Sequence, residues 1–231
     1  RLVPAVISAW VVPLGGLLQW KLRPGDRAGA VATSAILLTL LPIARHGRLA
    51  MLDGSQLTAM AVLWLSLVEL GDRPRTSGWA LLAGLMASAM LLLKAPLLLP
   101  ALAAAGLAIL WGREWRRWNV LKVMVPGIAG LLPGCAWHLW HAQIRGSQAL
   151  WMWNGDGAGR VLFSAGEGSD LGWRVPLIEL IEGGWPWLLL FPFALIWAWR
   201  CRSTAWGRWA LSTLLMLSAA ILPLKTQLPW Y

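Results

Sequence analysis

Charged side chains of both signs lie close together between two strongly apolar segments of the 231-residue chain. Arg45, His46, Arg48 and Asp53 all fall within the stretch ARHGRLAMLDGSQLT, residues 44 to 58. A carboxylate can act as a general base, and guanidinium groups bind phosphate through paired hydrogen bonds. These residue types are therefore compatible with a site for an anionic substrate.

Each of these residues also has a structural interpretation. Asp53 stands three residues before Gln56 at the start of an apolar run, a spacing typical of a helix cap with a capping box. Arg45 and Arg48 are also compatible with a basic cluster that faces lipid headgroups. Lys94 is either a turn residue whose ammonium group reaches towards water or a ligand for phosphate. The residues alone leave both interpretations open.

The composition indicates the environment in which these residues work. Hydrophobic residues make up 58% of the chain and charged residues 13%, with a mean hydropathy of +0.61. A soluble domain carries about 25% charged residues. We therefore expect one all-α, polytopic membrane region covering residues 1–231. Eight apolar runs approach the ~20 residues that a membrane span requires: residues 2–19, 28–44, 56–70, 79–93, 97–111, 120–140, 185–199 and 209–224.

The apolar segment from Trp79 to Trp111 is too long for one span, since a single helix of that length would measure ~50 Å. A reversal at the sequence LKAPL divides it into two spans. Pro96 favours the break, and the reversal removes Lys94 from the centre of the membrane, where it would cost ~3 kcal/mol. The sequence therefore predicts a helical hairpin that turns at Lys94.

The basic residues are distributed unequally between the two sets of alternating loops. The richer set holds twelve of the 20 Lys and Arg residues: Lys21, Arg23, Arg27, Arg73, Arg75, Arg113, Arg116, Arg117, Lys122, Arg200, Arg202 and Arg208. By the positive-inside rule this set faces the cytoplasm, in a multi-pass protein of the plasma (inner) membrane. The scattered charges form no basic stripe, which argues against nucleic acid as a partner. Asp53, Lys94 and Lys225 then face outwards.

The longest predicted outer loop covers residues 142–184. Asp156, Glu167 and Asp170 offer oxygen ligands for a metal ion, although a solvated acidic loop is the alternative interpretation. The stretch VPLIELIEGGW at the end of the loop is amphipathic, which predicts a segment lying in the membrane interface.

Four segments, in order, resemble the GT-C membrane glycosyltransferases of the protein-mannosyltransferase and aminoarabinose-transferase type. They read RLAMLDGSQLT, GLMASAMLLLKAP, GGWPWLLLFPFAL and LPLKTQLPWY. The resemblance implies transfer of a sugar from a polyprenyl-phosphate donor to a lipid or protein acceptor at the outer face. It implies that Asp53 is an active-site carboxylate, acting directly or through a divalent metal ion. Arg48 would be its motif partner, and Lys94 and Lys225 would lie near the lipid phosphate, together with Arg45.

Two features depart from the family pattern. The turn reads Lys-Ala-Pro, where the family usually has Gly after the Lys. The family's main catalytic Asp lies in the first outer loop, and this sequence begins at Arg1 beyond the position expected for that loop. We therefore expect the 231 residues to be a fragment that does not transfer sugar by itself.

A non-catalytic membrane protein, such as a lipid-linked sugar flippase or a small-solute transporter, is the competing hypothesis. Transporters often contain paired repeats, with ionisable residues near the middle of the membrane. This sequence has no internal repeat, and its candidate charges gather at one predicted face. That pattern favours the transferase.

Overall fold

The computed structural model describes residues 2–43, 52–72, 77–149 and 174–223, which are mainly α-helical. No β-strand occurs within these ranges, which confirms the predicted all-α class. The helices are α1 Leu2–Ala9, α2 Val11–Leu22, α3 Arg27–Thr39, α4 Leu52–Asp72, α5 Ser77–Lys94, α6 Leu98–Gly112, α7 Val120–Arg145, α8 Arg174–Gly184, α9 Phe191–Arg200 and α10 Ala205–Ile221. The connections include 3₁₀ turns at Ala95–Leu97, Glu114–Arg117 and Trp187–Leu190.

Side-chain caps fix the start of three helices. Asp26 caps α3, Asn119 caps α7 and Thr204 caps α10, each through a side-chain oxygen that accepts a backbone N–H three residues later. The donor–acceptor distances are 2.8, 3.2 and 3.2 Å, respectively. Such caps satisfy backbone donors that have no partner inside the helix.

Helix α4 lies at the centre of the bundle and contacts α1, α2, α5 and α6. Apolar and small side chains occur all around it, and Leu63, Ser66 and Leu70 are buried. A helix without a polar face is suited to being enclosed by neighbours. This central position fixes Asp53 at one end of the bundle and Glu69 at the other.

The chain reverses between α5 and α6, at the 3₁₀ turn that contains Pro96. Lys94 at the end of α5 contacts Asp53 at the start of α4, so these two helices are antiparallel. Further along, the indole Nε1–H of Trp64 in α4 donates to the carbonyl of Ala101 in α6, at 2.9 Å. Helix α6 therefore runs in the same direction as α4, in agreement with the predicted hairpin at Lys94.

Small residues allow α5 and α7 to pack closely. A Cβ atom added at Gly84 would overlap the carbonyl oxygen of Gly127, and the Oγ of Ser88 accepts a hydrogen bond from the N–H of Gly134 at 2.5 Å. Small residues at such contacts are typical of helix pairs in membranes, where van der Waals packing replaces the hydrophobic effect. The contacts advance in the same order along both helices, so α7 runs parallel to α5.

The two ends of the bundle differ in charge. We name them the Asp53 end, where α4 begins and α5 ends, and the Lys21 end, where α2 and α4 end. Lys94 and Arg145 lie at the Asp53 end. A larger group of basic residues lies at the Lys21 end: Lys21, Arg23, Arg27, Arg113, Arg116, Lys122, Arg200, Arg202 and Arg208.

By length and composition, three helical stretches among the described residues could cross a membrane: Leu2–Leu22, Val120–Arg145 and Ser77–Gly112, the last of which contains the reversal between α5 and α6. The prediction of eight spanning helices is therefore wrong by this measure. Helices α3 and α9 contain 13 and 10 residues, too few to cross ~30 Å at 1.5 Å per residue. Helix α4 has sufficient length, but Asp53 and Glu69 lower its hydropathy.

Part of the predicted outer loop, residues 142–184, is helical. Helix α7 continues to Arg145, and the predicted amphipathic stretch lies in α8. Leu177, Ile178 and Ile181 of α8 are exposed. Residues 150–173, which include the three acidic candidates for metal binding, lie outside the described part of the chain.

Candidate functional site

Asp53 and Lys94, two of the predicted site residues, are in direct contact. The distance from the Asp53 Oδ1 to the Lys94 Nζ is 2.9 Å, although 41 residues separate them in sequence. Their side chains are 24% and 31% exposed, so the pair is neither buried nor fully solvated. Because α4 and α5 are antiparallel, the fold brings a carboxylate and an ammonium group together at the Asp53 end.

The predicted capping box does not form. Helix α4 already includes Leu52, so Asp53 lies within the first turn rather than at the N-cap position. Its carboxylate accepts from Lys94, and the side chain of Gln56 also turns to α5 instead of to the backbone of α4. A negative charge in the first turn is favoured by the helix dipole. The position of Asp53 thus leaves its carboxylate directed to another helix.

Gln56 adds a buried amide to this end of the bundle. It is 2% exposed, and its Nε2 donates to the carbonyl of Lys94 at 3.1 Å. Its Oε1 is buried and accepts no hydrogen bond from the described residues. A buried carbonyl oxygen without a donor is costly, so this atom has the capacity to accept a hydrogen bond from a bound group. The sequence suggested Gln56 only as part of the capping box.

Helix α7 brings a histidine to the same end. The His138 Nε2 donates to the carbonyl of Leu91 at 3.1 Å, and Leu91 precedes Lys94 by one helical turn. The ring of Trp137 packs edge-on against His138 and stacks on His141, with centroids 4.9 Å apart in both cases. Sequence reasoning missed these histidines. The only sign of them in the sequence was that two titratable residues lie close together near the end of an apolar segment.

The other predicted site residues cannot be placed beside this pair. Arg45, Arg48 and Lys225 lie outside the described residues, so their proposed contacts with phosphate stay predictions. Within the ranges that the structure describes, no group of three His, Cys, Asp or Glu side chains is arranged to hold a metal ion.

A second ion pair lies at the opposite end of the bundle. Lys21 of α2 contacts Glu69 of α4, and Glu69 is only 4% exposed. Nearby, the Arg208 Nη2 of α10 lies 2.9 Å from the Glu114 Oε1 after α6. These pairs neutralise charge between packed helices, and neither was predicted. Their positions, away from Asp53, favour a structural role.

A groove of about 440 Å³ lies between α2, α4 and α10. Its walls are mainly apolar and include Leu18, Trp64, Trp209 and Leu217. The side-chain amide of Gln19 at its edge accepts a hydrogen bond from the Nε1–H of Trp206 at 2.7 Å. The groove does not include Asp53 or Lys94.

Chemically, the Asp53 end combines complementary groups. A carboxylate can accept a proton or hold a hydroxyl or amine, and an ammonium group can offset the charge of a phosphate. Gln56 of α4 and His138 of α7 supply further hydrogen-bonding groups at this end of the bundle.

Comparisons with protein-family models, with curated proteins and with solved structures found no match for this chain.

Proposed function

We propose that the chain belongs to a membrane glycosyltransferase that uses a polyprenyl-phosphate sugar donor. The observation that carries the proposal is the contact between Asp53 and Lys94, because it unites two of the four sequence segments that resemble GT-C enzymes. Helices suited to span a membrane provide the setting that a lipid-linked donor needs.

In the proposed reaction an acceptor group attacks the anomeric carbon of the sugar, and the bond from that carbon to the phosphate oxygen breaks. Asp53 accepts the proton of the acceptor, and the phosphate leaves with the bonding electron pair. The ammonium group of Lys94 offsets the charge that grows on the phosphate. Arg45, Arg48 and Lys225 are proposed to add to this positive potential.

The distribution of charge supports an orientation in which the Asp53 end faces outwards. Basic residues gather at the Lys21 end, and such residues favour the cytoplasmic side of the plasma (inner) membrane. Donor, acceptor and the Asp53–Lys94 pair would then meet at the outer face, as the family resemblance implies.

A lipid-linked sugar flippase or transporter is the second candidate, and the apolar groove of about 440 Å³ favours it. A groove between helices can hold a lipid chain while a headgroup crosses the membrane. The Asp53–Lys94 and Lys21–Glu69 ion pairs, which lie at opposite ends of the bundle, would then act as gates. Under this alternative, substitutions of groove residues impair movement of lipid across the bilayer, and no sugar is transferred.

The test is transfer of radiolabelled sugar from polyprenyl phosphate, in membranes from cells expressing the complete reading frame. We expect D53N and K94Q to lower the transfer rate by at least about 100-fold, because each removes a group that acts on the reacting centre. D26N and K122Q are matched controls, since Asp26 caps α3 and Lys122 lies exposed at the Lys21 end. Full activity of both D53N and K94Q, at normal protein levels, would refute the proposal.

A further inference from the structure

A second cavity lies at the Lys21 end, where α6 and α9 end. It has a volume of about 320 Å³ and is lined by Trp111, Arg200, Arg202 and Ser203. Two guanidinium groups, a hydroxyl and an indole N–H can all donate hydrogen bonds, and none of the lining residues is acidic. This donor-rich lining fits an oxyanion.

Arg202, which lies in the turn after α9, is held in place by contacts with Trp199. The Arg202 Nη1 donates to the carbonyl of Trp199 at 3.1 Å, and the guanidinium carbon lies 5.1 Å from the centroid of the Trp199 ring. The hydrogen bond to this carbonyl uses one of the five N–H donors of the Arg202 guanidinium group. A guanidinium fixed by stacking needs less ordering when it binds an anion.

Glu114, an acidic residue at the same end of the bundle, already forms an ion pair. Glu114 accepts from the Arg208 Nη2 at 2.9 Å, and the Arg208 Nη1 donates to the carbonyl of Ser203 at 2.6 Å. Arg208 therefore neutralises Glu114 and also fixes the backbone of the cavity wall. Among the residues that the structure describes, Arg200 and Arg202 form no ion pair with a carboxylate, so their positive charge is available to a ligand.

We propose that this cavity binds a phosphate group, and that the phosphate belongs to the headgroup of an anionic phospholipid. The two helices that border the cavity carry exposed apolar side chains, Leu110 on α6 and Ile196 on α9. These side chains can contact the acyl chains of the same lipid. Trp111 and Trp199 are also exposed at this level, as expected for tryptophans at a membrane interface. Arginine pairs with phosphate through two parallel hydrogen bonds. The proposal does not depend on sugar transfer.

The test measures lipid binding to the purified, delipidated protein in detergent by native mass spectrometry. Phosphatidylglycerol is titrated, with phosphatidylcholine as the reference lipid. We expect the double variant R200Q/R202Q to weaken binding of phosphatidylglycerol by about tenfold. The matched control R27Q/R116Q removes the same charge at the same end from positions that are also exposed but do not line the cavity, and it should change binding by less than about twofold. Equal losses in both double variants would overturn the proposal.

Two further arms complete the test. S203E introduces a carboxylate into the cavity without removing an arginine, and it should also weaken phosphatidylglycerol binding if the cavity holds phosphate. Unchanged binding to S203E would count against the site. Inorganic phosphate at millimolar concentration identifies the source of the phosphate group. If it displaces the phosphatidylglycerol whose binding R200Q/R202Q weakens, the cavity is assigned to free phosphate. If phosphatidylglycerol stays bound, the result supports the phospholipid headgroup as the ligand.

Discussion

Lys21 and Glu69 form an ion pair in which the two partners differ in access to water. The side chain of Lys21 is 35% exposed, whereas that of Glu69 is 5% exposed. Removal of the lysine therefore strands a charge inside the bundle, whereas removal of the glutamate leaves an ammonium group that still reaches the surface. The pair joins α2 to the central helix, so its loss is expected to loosen the bundle at this end.

We predict that K21Q lowers the free energy of unfolding by about 3 kcal/mol, as expected when a buried charge loses its partner. E69Q should cost about 1 kcal/mol, because no buried charge remains. Unfolding of the purified protein in mixed micelles measures both values. The double variant K21Q/E69Q should be more stable than K21Q. A larger loss for E69Q than for K21Q would contradict this asymmetry.

The contact between α5 and α7 predicts a strong dependence on one glycine. G84A places a methyl group against the carbonyl of Gly127, and we expect a loss of about 1 to 3 kcal/mol from overpacking. Gly106 in α6 is the matched control, because a Cβ atom there meets no described atom within 4 Å. G106A should be neutral or gain up to about 1 kcal/mol from helix propensity. Equal stability of the two variants, in the same unfolding assay, would show that α5 and α7 are not closely packed.

The proposed orientation predicts which end of the bundle is accessible from outside the cell. In a C135S/C201S background, a membrane-impermeant thiol reagent should label R145C in intact cells and should label R116C only after permeabilisation. Arg145 ends α7 at the Asp53 end, and Arg116 lies in the turn after α6 at the Lys21 end. The reverse labelling pattern would place Asp53 and Lys94 in the cytoplasm and remove the proposed meeting point with an outer-face donor.

The sequence allowed the helical class, the reversal at Lys94 and the position of Asp53 and Lys94 at the same end of the bundle to be predicted. Each depends on a strong local signal: high hydropathy, a proline after a lysine, or charges at the ends of apolar runs. The number of spanning helices was overestimated because an apolar run does not show where its helix ends. Helix α9, for example, begins only at Phe191, after a 3₁₀ turn that uses part of the apolar run.

The Lys21–Glu69 pair and the contact of His138 with α5 could not be predicted from sequence. Both depend on which helices are neighbours and on their relative rotation, and periodicity within one helix contains neither piece of information. Gln56 was assigned to a local cap because its spacing from Asp53 fits one. In the structure a contact with α5 replaces that local bond.

The most direct test of the central claim is to exchange the two charges of the Asp53–Lys94 pair and measure sugar transfer. The double variant D53K/K94D keeps opposite charges in contact, so its free energy of unfolding should stay within about 1 kcal/mol of the unmodified protein. It removes the carboxylate from α4 and the ammonium group from α5, so transfer from polyprenyl phosphate in membranes containing the complete reading frame should fall by at least about 100-fold. Transfer by D53K/K94D at the unmodified rate would show that the pair only joins two helices, and would contradict the proposed catalytic role.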